Sequence, residues 1–378
     1  MAEKLVGIVT LVGDTNYGNR LQNYALQEAI KSLGSYRVET LEGLPLGESK
    51  PLKIRRLLAT AFGRRKEIIR RLVNRTDAHP TLDDYVCPPA RRAAIQAFSD
   101  HYITPAPQQY STEASNSALI DRYHRFVVGS DQVWNPAYTH ANPEWFLSFA
   151  RPEQRVAYAA SIGIPELPKY LRSKYRRGFN LVENLSVREH QAAKTINELT
   201  GKNPPVVLDP TMLLTREQWD LVAVEPPQLQ PPSYVATFML SAGDATSIGG
   251  PDLTAVHQYA QSECLGIVDL HSPEDPDSIA FGPSEFIGAI RGAKLLVTDS
   301  FHAAVFASLF HVPFLLVPRG AMNSRFETLL AHTGLSNRLL SEASDVQGSL
   351  QIDWGTVDAR IAEKREESIS FLARSLGQ

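Results

Sequence analysis

Four short segments of the sequence carry residue types that could bind a sugar, an anion or both. In the first, residues 13–23 follow a predicted strand and are rich in Asp, Asn and Gly. Asp14, Asn16 and Asn19 could hydrogen-bond sugar hydroxyls, or they could serve only as turn and N-cap residues. The segment has neither a GxGxxG nor a Walker pattern, so it does not indicate a site for nucleotide phosphates.

The second segment, residues 127–136, ends a predicted strand in a Gly-Ser-Asp turn that a tryptophan soon follows. A sugar ring needs an aromatic stacking face with hydrogen-bonding groups beside it. Trp134, near Ser130 and Asp131, would supply both. The same tryptophan could equally be an anchor of the hydrophobic core.

In the third segment, Arg188 comes directly after a predicted strand that ends at Val187. Its guanidinium group is always charged and could hold a carboxylate or a phosphate. The alternative is a structural ion pair with Glu189 or with another acid.

The fourth segment, residues 296–310, leads from a predicted strand into an apolar helix. Asp299 or Ser300 can cap this helix, which places His302 in its first turn. A helix N-terminus attracts anions through its free N–H groups and its dipole, and a histidine there could bind or protonate an anionic ligand. A structural histidine is the alternative. Arg325, which follows the next predicted strand, could add a second cation to the same pocket.

Alternating strands and helices are expected to position these segments. After a first predicted strand at 5–12, apolar residues at helical spacing run from Leu21 to Leu33, and Gly34 stands where a helix C-cap belongs. The other predicted strands are 126–128, 156–160, 185–187, 206–208, 234–240, 294–298 and 314–317. Alternation of this kind predicts parallel sheets covered by helices, in which ligands bind at the carboxyl ends of the strands.

A run of prolines is predicted to divide the chain into two domains. Residues 225–232 contain four prolines in eight residues, a composition that neither a helix interior nor a central strand tolerates. This linker would separate an N-terminal Rossmann-like domain, 1–225, from a C-terminal Rossmann-like domain, 233–340. A charged amphipathic helix at 357–376, within a final unit 355–378, is expected to pack back on the first domain.

The composition excludes several classes of protein. The 378 residues have a net charge of −3, with 43% hydrophobic and 21% charged residues, which excludes a disordered chain and disfavours a basic nucleic-acid binder. Cys87 and Cys264 lie apart, without a CxxC or a paired histidine, so no disulfide framework and no metal site is expected. The N-terminal stretch is predicted to be a strand rather than a signal peptide, and no stretch reaches the roughly 18 apolar residues of a membrane span. A cytoplasmic protein is therefore expected.

One segment departs from this near-neutral balance. Residues 53–75 contain nine Lys and Arg residues and one acid, Glu67, with apolar residues between them. The pattern is typical of a surface helical insertion with a solvated basic face. It is also typical of a helix that lies on an anionic membrane surface.

Taken together, the motifs resemble the polysaccharide pyruvyl transferase family. Each motif is weak alone, and the resemblance rests on their order and spacing over residues 5–340. The matching motifs are Tyr17-Gly18-Asn19, Leu21-Gln22-Asn23-Tyr24-Ala25-Leu26-Gln27, Gly129-Ser130-Asp131-Gln132-Val133-Trp134-Asn135, Ser186-Val187-Arg188-Glu189, Leu208-Asp209-Pro210-Thr211, Thr298-Asp299-Ser300-Phe301-His302, Asn323-Ser324-Arg325 and Leu329-Leu330. Family members commonly have a Gly-Thr type pair after the histidine, where this chain has Ala303-Ala304.

The resemblance implies a glycosyltransferase-B-like α/β fold, in which two Rossmann-like domains face a cleft. It implies phosphoenolpyruvate as co-substrate without a further cofactor, and a cell-surface glycan or its lipid-linked precursor as acceptor. The product would be a pyruvate ketal, and the basic segment would allow contact with the inner face of a membrane. The site residues would be His302, Asp14 and Asp131 for catalysis; Arg188, Ser300, Phe301, His302, Asn323 and Arg325 for the donor; and Asn16, Tyr17, Asn19, Gln22, Ser130 and Trp134 for the acceptor.

Two other functions stay open on the sequence alone. A glycosyltransferase that uses a nucleotide sugar could have the same fold. A non-catalytic glycan-binding relative would be consistent with Ala303-Ala304, whereas Arg188 and His302 favour an enzyme.

Overall fold

Two parallel β-sheets covered by helices form the part of the chain that the computed structural model describes. That part comprises residues 3–44, 87–107, 110, 117–226, 229, 233–240, 253–271, 281–317, 323–340 and 346–377. The basic segment 53–75 lies outside the described residues, and so does most of the predicted linker 225–232.

The first sheet has five parallel strands in the order β2-β1-β3-β4-β5. Their bounds are β1 (Lys4–Val9), β2 (Tyr36–Thr40), β3 (Arg125–Val128), β4 (Arg155–Ala160) and β5 (Asn184–Val187). Four of these strands confirm predicted ones, although β1 ends earlier than predicted. β2 is absent from the predicted strands because it is short and half of it is polar.

The second sheet has four parallel strands in the order β7-β6-β8-β9. Their bounds are β6 (Tyr234–Phe238), β7 (Gly266–Asp269), β8 (Leu295–Thr298) and β9 (Phe314–Leu316). β7 is the strand of this sheet that the sequence pattern does not predict, and it is a four-residue edge strand. The predicted strands at 234–240, 294–298 and 314–317 are confirmed in shortened form.

The strand predicted at 206–208 is wrong as a full strand. Val206 forms only an isolated bridge with Val187, whose N–H donates to the carbonyl of Pro205 at 3.1 Å. Prolines 204, 205 and 210 flank the stretch and lack the N–H that a longer ladder requires.

Helices connect and cover the strands. Their bounds are α1 (Tyr17–Ser32), α2 (Pro89–Tyr102), α3 (Ser117–Arg122), α4 (Pro136–Thr139), α5 (Arg172–Leu181), α6 (His190–Thr200), α7 (Arg216–Asp220), α8 (Thr254–Ser262), α9 (Pro283–Gly292), α10 (Phe301–Leu309), α11 (Asn323–Thr333) and α12 (Trp354–Leu376). All nine residues of α10 are buried, so this helix is apolar on every side. One apolar cluster runs from β1 and α1 through α9 and α10 to α12.

Both sheets have a point at which the strand order reverses. In the first sheet the chain moves from β1 outward to β2 and then returns to β3 on the other side; β6, β7 and β8 repeat this order in the second sheet. In open parallel sheets the crevice at such a point, beyond the carboxyl ends of the strands, is where ligands bind.

The last helix returns to the first sheet. The hydroxyl of Tyr36 donates to the carbonyl of Leu376 at 3.4 Å, and the N–H of Leu208 donates to Oγ of Ser368 at 3.0 Å. These contacts agree with the expected packing of the C-terminal helix, while the predicted domain boundaries at 225 and 233 stay predictions.

Helix α9 lies directly against the chain that leads into the predicted linker. A β-carbon on Gly288 would lie 1.9 Å from the carbonyl oxygen of Val224, whose N–H donates to the carbonyl of Ser284 at 3.0 Å. The helix can approach this segment only because residue 288 has no side chain.

We therefore expect Gly288→Ala to lower the free energy of unfolding by about 1–3 kcal/mol, as overpacking of a close contact does. Gly355→Ala is the matched control, because its added β-carbon would come no nearer than 3.4 Å to another atom. Urea unfolding of both variants measures the effect, and equal losses of stability in the two would contradict this packing.

Candidate active site

The main cleft lies where the reversal points of the two sheets face each other. Residues after β1 and β3 line one side, and residues after β6 and β8 line the other. The cleft has an empty volume of about 930 Å³, including its open mouth. Its lining residues are Leu11, Val12, Gly13, Thr15, Asn16, Asn19, Asp131, Gln132, Tyr138, Leu240, Asp299, Ser300, Phe301, His302 and Arg325.

Two helix N-termini meet in this cleft. Asn16 caps α1 by accepting from the N–H of Asn19 at 3.3 Å, and Ser300 caps α10 by accepting from the N–H of Ala303 at 3.5 Å. The first turns come so close that a β-carbon on Gly18 would lie 2.0 Å from Nδ1 of His302. Since both N-termini carry partial positive charge, the space between them attracts an anion.

A buried ion-pair network lies behind the surface of the cleft. Nη1 of Arg188 lies 2.7 Å from Oδ2 of Asp209, and its Nη2 lies 3.4 Å from Oδ1 of Asp131. The ring of Phe301 covers the guanidinium group at 4.6 Å. The side chain of Arg188 is only 1% exposed, so this cation holds two carboxylates in place rather than facing the cleft.

Both carboxylates are ionised. Burial by itself would raise the pKa of Asp131, but the charges of Arg188 and His302 and a hydrogen bond from Asn19 hold that pKa below its usual value. Burial would likewise raise the pKa of Asp209, yet His302 and Arg188 depress it far below the usual range. The network therefore contains two negative charges against the one fixed charge of Arg188.

His302 lies next to this network and at the wall of the cleft. Its Nε2 is 3.7 Å from Oδ2 of Asp209, which is an ion-pair distance and longer than a hydrogen bond. In the described part of the chain, this buried nitrogen has no hydrogen-bond partner. The fold thus places an imidazole between a buried carboxylate and the wall of the cleft.

Arg325, in the first turn of α11, is the arginine that lines the cleft. It is 7% exposed, and burial together with the charge of Arg188 lowers its pKa. Asn323 begins the same helix. The structure therefore agrees with Arg325 as a second cation of the pocket.

Asn19 is held with its amide group toward Asp131. Arg20 donates to Oδ1 of Asn19 at 2.6 and 3.1 Å, and the remaining amide N–H of Asn19 donates to Oδ2 of Asp131 at 3.2 Å. Arg20 is fixed in turn by the carbonyl of Leu11 at 2.7 Å. Together with Arg188, these contacts fix the carboxylate of Asp131 through both of its oxygens.

Three of the residues predicted to bind the acceptor are wrong as contact residues, because they are fully buried. Trp134 packs between Phe146 and Phe179 and donates from Nε1 to the carbonyl of Trp145 at 2.8 Å, so it is a core anchor. Neither Gln22 nor Ser130 has any exposed surface.

Gln22 and Ser130 instead hold the turn after β3. The N–H of Ser130 donates to Oε1 of Gln22 at 3.1 Å, and its hydroxyl contacts Oδ2 of Asp209 at 3.1 Å. Gln22 also donates to Oγ1 of Thr10 at 2.9 Å. Both residues position the carboxylates and do not line the cleft.

Two further predictions need correction. Asp14 does not line the cleft; its Oδ2 pairs with Nε of Arg92 at 3.1 Å, which removes it from the proposed catalytic group. Arg188, predicted to hold the donor, lies one layer behind the cleft because its guanidinium group already binds two carboxylates. Asn16 and Tyr17, in contrast, lie at the meeting point of the helices.

The predicted site residues leave out several residues that the fold brings to the site. Asp209 and Asp299 each follow a predicted strand, so the rule that ligands bind at carboxyl ends of strands would have found them. Gln132 and Tyr138 follow the turn after β3. Arg91 comes from α2, and no local pattern in the sequence connects it to the site.

No group of metal-ligating side chains is found in the described ranges, and no described helix is long and apolar enough to cross a membrane.

Comparison with known proteins identifies the family. A family model described as polysaccharide pyruvyl transferase matches residues 16–320. The chain belongs to the polysaccharide pyruvyl transferase family. It is therefore a transferase, as the motifs predict. A search among curated proteins finds no match.

Solved structures with a similar fold include proteins of other activities. A protein described as a UDP-N-acetylglucosamine 2-epimerase from Listeria monocytogenes has a TM-score of 0.50 and 12% identity, covering 99% of this chain and 91% of its own. A UDP-GlcNAc 2-epimerase from Neisseria meningitidis has a TM-score of 0.44 and 11% identity, and the match covers 97% of this chain and 94% of that protein. The glycosyltransferase SnogD from Streptomyces nogalater has a TM-score of 0.41 and 14% identity, and the match covers 99% of this chain and 100% of that protein. Likeness to the Listeria protein, at 12% identity, concerns the fold alone. Together with the two parallel sheets, it agrees with the predicted glycosyltransferase-B-like architecture.

The departure from the family pattern after the histidine does not reach the cleft. Ala303 and Ala304 are both 0% exposed, and neither lines the cleft. The pair therefore changes the packing of α10 rather than the surface that a ligand meets.

The buried network predicts a defined dependence of stability on pH. The folded pKa of Asp209 lies far below its ordinary value of 3.8, so its contribution to stability is complete above that pH and is lost as the pH falls below it. We expect Asp209→Asn to cost about 3 kcal/mol at pH 7, because a buried arginine loses a counter-charge. The variant should also lose less further stability between pH 4 and pH 3 than the unmodified chain.

Urea unfolding at pH 7, 4 and 3 measures both effects. Asp220→Asn is the control, because Asp220 forms a partly exposed pair with Arg291 at 3.0 Å and should contribute less than about 1 kcal/mol. Parallel pH profiles for Asp209→Asn and the unmodified chain would contradict the role given to this carboxylate.

Proposed function

We propose that the chain transfers pyruvate from phosphoenolpyruvate to two hydroxyls of one sugar, forming a ketal and releasing phosphate. The observation that carries this proposal is the place of His302. Its unpartnered Nε2 lies at the N-terminus of α10, beside Arg325 and next to the ionised network of Asp209 and Asp131. An acid, a base and a concentration of positive charge are thereby joined in one cleft.

The anionic donor would bind to the positive groups that line the cleft. Arg325 and His302 supply side-chain donors, and the first turns of α1 and α10 supply backbone N–H groups. Arg188 supports this arrangement from behind through its two carboxylates. This donor set differs from the one implied by the family resemblance, in which Arg188 itself contacts the donor.

In the proposed reaction, protonated His302 gives its proton to the methylene carbon of phosphoenolpyruvate. Positive charge then develops at the neighbouring carbon, and the first sugar hydroxyl adds there. Asp209, 3.7 Å from the imidazole, stabilises its protonated form. Asp131 is ionised, faces the cleft and is the base for an acceptor hydroxyl.

The second hydroxyl then displaces the phosphate from the same carbon. The proton of one sugar hydroxyl returns His302 to its protonated form, which makes up for the proton given to the new methyl group. The proton of the other hydroxyl leaves with the phosphate. The products are a pyruvate ketal and inorganic phosphate, so atoms and charges balance without an oxidant or reductant.

The acceptor would lie at the open mouth of the cleft, near Asn16, Asn19, Gln132 and Tyr138. Amide and phenol groups of this kind hydrogen-bond sugar hydroxyls. We further propose that the acceptor is a cell-surface glycan or its lipid-linked precursor at the inner face of a membrane. The support for the membrane is the basic sequence 53–75, which lies outside the described residues.

We expect His302→Gln to lower transfer by about 10²–10⁴-fold, the usual contribution of a general acid. The measurement is phosphoenolpyruvate-dependent phosphate release with a panel of synthetic and lipid-linked glycans, together with the mass gain of the acceptor. His257→Gln is the control, because His257 is exposed and on another helix.

Near-normal turnover of His302→Gln would contradict the assignment. Calorimetry with phosphoenolpyruvate, UDP and GDP tests the substrate class separately. Binding of a nucleotide without binding of phosphoenolpyruvate would favour a nucleotide-sugar glycosyltransferase instead.

The contact between Gly18 and His302 gives a second test. An added β-carbon on residue 18 would lie 2.0 Å from Nδ1 of the imidazole, so Gly18→Ala must move the ring. A shift of about 1 Å in a reacting group can cost about 10²-fold in rate. We expect kcat to fall by at least about tenfold in Gly18→Ala. Gly355→Ala, in α12 and away from the cleft, should keep its rate, because its added β-carbon would come no nearer than 3.4 Å to another atom.

A further inference from the structure

A smaller side chamber opens from the cleft between the two domains. Its empty volume, with the open space at its mouth included, is about 320 Å³, compared with about 930 Å³ for the cleft. We define the side chamber by its lining residues, which are Thr15, Asn16, Tyr17, Gly18, Arg91, Phe238, Leu240, His271, Phe286, Ser300 and His302. His302 and Ser300 line both spaces, so the chamber joins the cleft at the proposed catalytic group.

The side chamber and the cleft differ in charge. Arg91 is a lining residue of the chamber, and no acid is found among the described residues that line it. The cleft, in contrast, is lined by Asp131 and Asp299. The most highly charged part of an anionic ligand is therefore better accommodated in the chamber than beside these two carboxylates of the cleft.

Two acids close to this chamber, Asp269 and Glu285, each accept a backbone hydrogen bond. Oδ1 of Asp269 accepts from the N–H of His271 at 2.9 Å, and Oε2 of Glu285 accepts from the N–H of Gly282 at 3.0 Å. Neither carboxylate is part of the chamber wall.

Arg91 reaches the chamber over an aromatic stack. Its guanidinium carbon lies 5.7 Å from the centre of the Tyr17 ring, which stacks on Phe286 at 4.7 Å. Arg91 is only 3% exposed. Burial also lowers the pKa of His271, which disfavours the charged form of that imidazole. Arg91 is the arginine among the described residues of this wall.

Tyr17 gives an independent indication of a ligand. The residue is 4% exposed, and its hydroxyl has no hydrogen-bond partner among the described residues. A buried hydroxyl without a partner is costly to keep. Nε2 of His302, a residue of the same wall, is also buried and has no hydrogen-bond partner among the described residues, although it lies 3.7 Å from Oδ2 of Asp209. Tyr17 and His302, each with a buried polar atom that lacks a hydrogen bond, thus line one space that also contains two helix N-termini.

We propose that the side chamber binds the phosphate of the donor, and that inorganic phosphate occupies it after transfer. Arg91, the hydroxyl of Tyr17 and the N–H groups of the first turns of α1 and α10 hold the phosphate oxygens. The reacting carbon then lies at the junction, next to His302, and the sugar hydroxyls approach from the cleft. The identification of this phosphate as the donor's rests on the proposed function.

The experiment is calorimetric titration of the full chain with inorganic phosphate, and in a second arm with pyruvate. We expect Arg91→Gln to weaken phosphate binding at least about tenfold, as loss of a charge-assisted hydrogen bond does. Arg92→Gln is the matched control, because the adjacent Arg92 is half exposed and pairs with Asp14. It should bind phosphate as the unmodified chain does.

Tyr17→Phe separates ligand binding from folding. Its phosphate affinity should fall severalfold, while its melting temperature without ligand stays the same or rises, because the removed hydroxyl has no partner to lose. Tyr17→Phe and Arg91→Gln should also raise KM for phosphoenolpyruvate while leaving the KM for the glycan unchanged.

Failure of this proposal differs from failure of the proposed function. Three results would overturn the phosphate chamber even if pyruvyl transfer occurs. The unmodified chain does not bind phosphate, or both variants bind phosphate as tightly as the unmodified chain does. The third is that Arg91→Gln weakens the binding of pyruvate as much as it weakens the binding of phosphate. If phosphate binds through Arg91 and phosphoenolpyruvate is no substrate, the phosphate site stands and its assignment to that donor is wrong.

Discussion

The close approach of two helix N-termini is the constraint on which the rest of the site depends. The first turns of α1 and α10 come from different domains, and only the missing side chain of Gly18 leaves space for the ring of His302. Their partial positive charges repel each other. Asp131 and Asp209 lie beside this meeting point, and their negative charges offset the repulsion. The two N-termini can therefore approach each other between the domains with ionised carboxylates beside them.

Arg188, which lies behind the wall of the cleft, keeps these two carboxylates ionised. A carboxylate in a dry environment would ordinarily take up a proton, because burial favours its neutral form. The guanidinium group of Arg188 contacts both Asp209 and Asp131, so both stay ionised. Asp131 can therefore face the cleft as a base, and Asp209 can support a protonated His302. In the proposed reaction, the arginine would act through the two acids rather than by touching a ligand.

The sequence predicts the elements well where the local pattern is strong. The central strands, the N-capped helix that contains His302 and the long C-terminal helix agree with the structure, because burial on both faces or a clear helical period marks each of them. The strands β2 and β7 are missed because neither contains an apolar run of more than two residues, whereas β9, which is also a short edge strand, is apolar throughout. The stretch at 206–208 is predicted to be a strand but forms only one isolated bridge, because the flanking prolines lack the N–H groups that a longer ladder needs.

For the site, the sequence by itself determined which chemical groups are present. They are an arginine after one strand, a histidine at a helix N-terminus and turns rich in Asp and Asn. Their order along the chain is that of the polysaccharide pyruvyl transferase family. Tertiary structure alone decided which of these groups faces a ligand. It buried Trp134 in the core, turned Arg188 toward two carboxylates and brought Arg91 to the wall of the side chamber. The physical reason is that exposure and charge pairing depend on contacts between segments far apart in the chain, and no local spacing records those contacts.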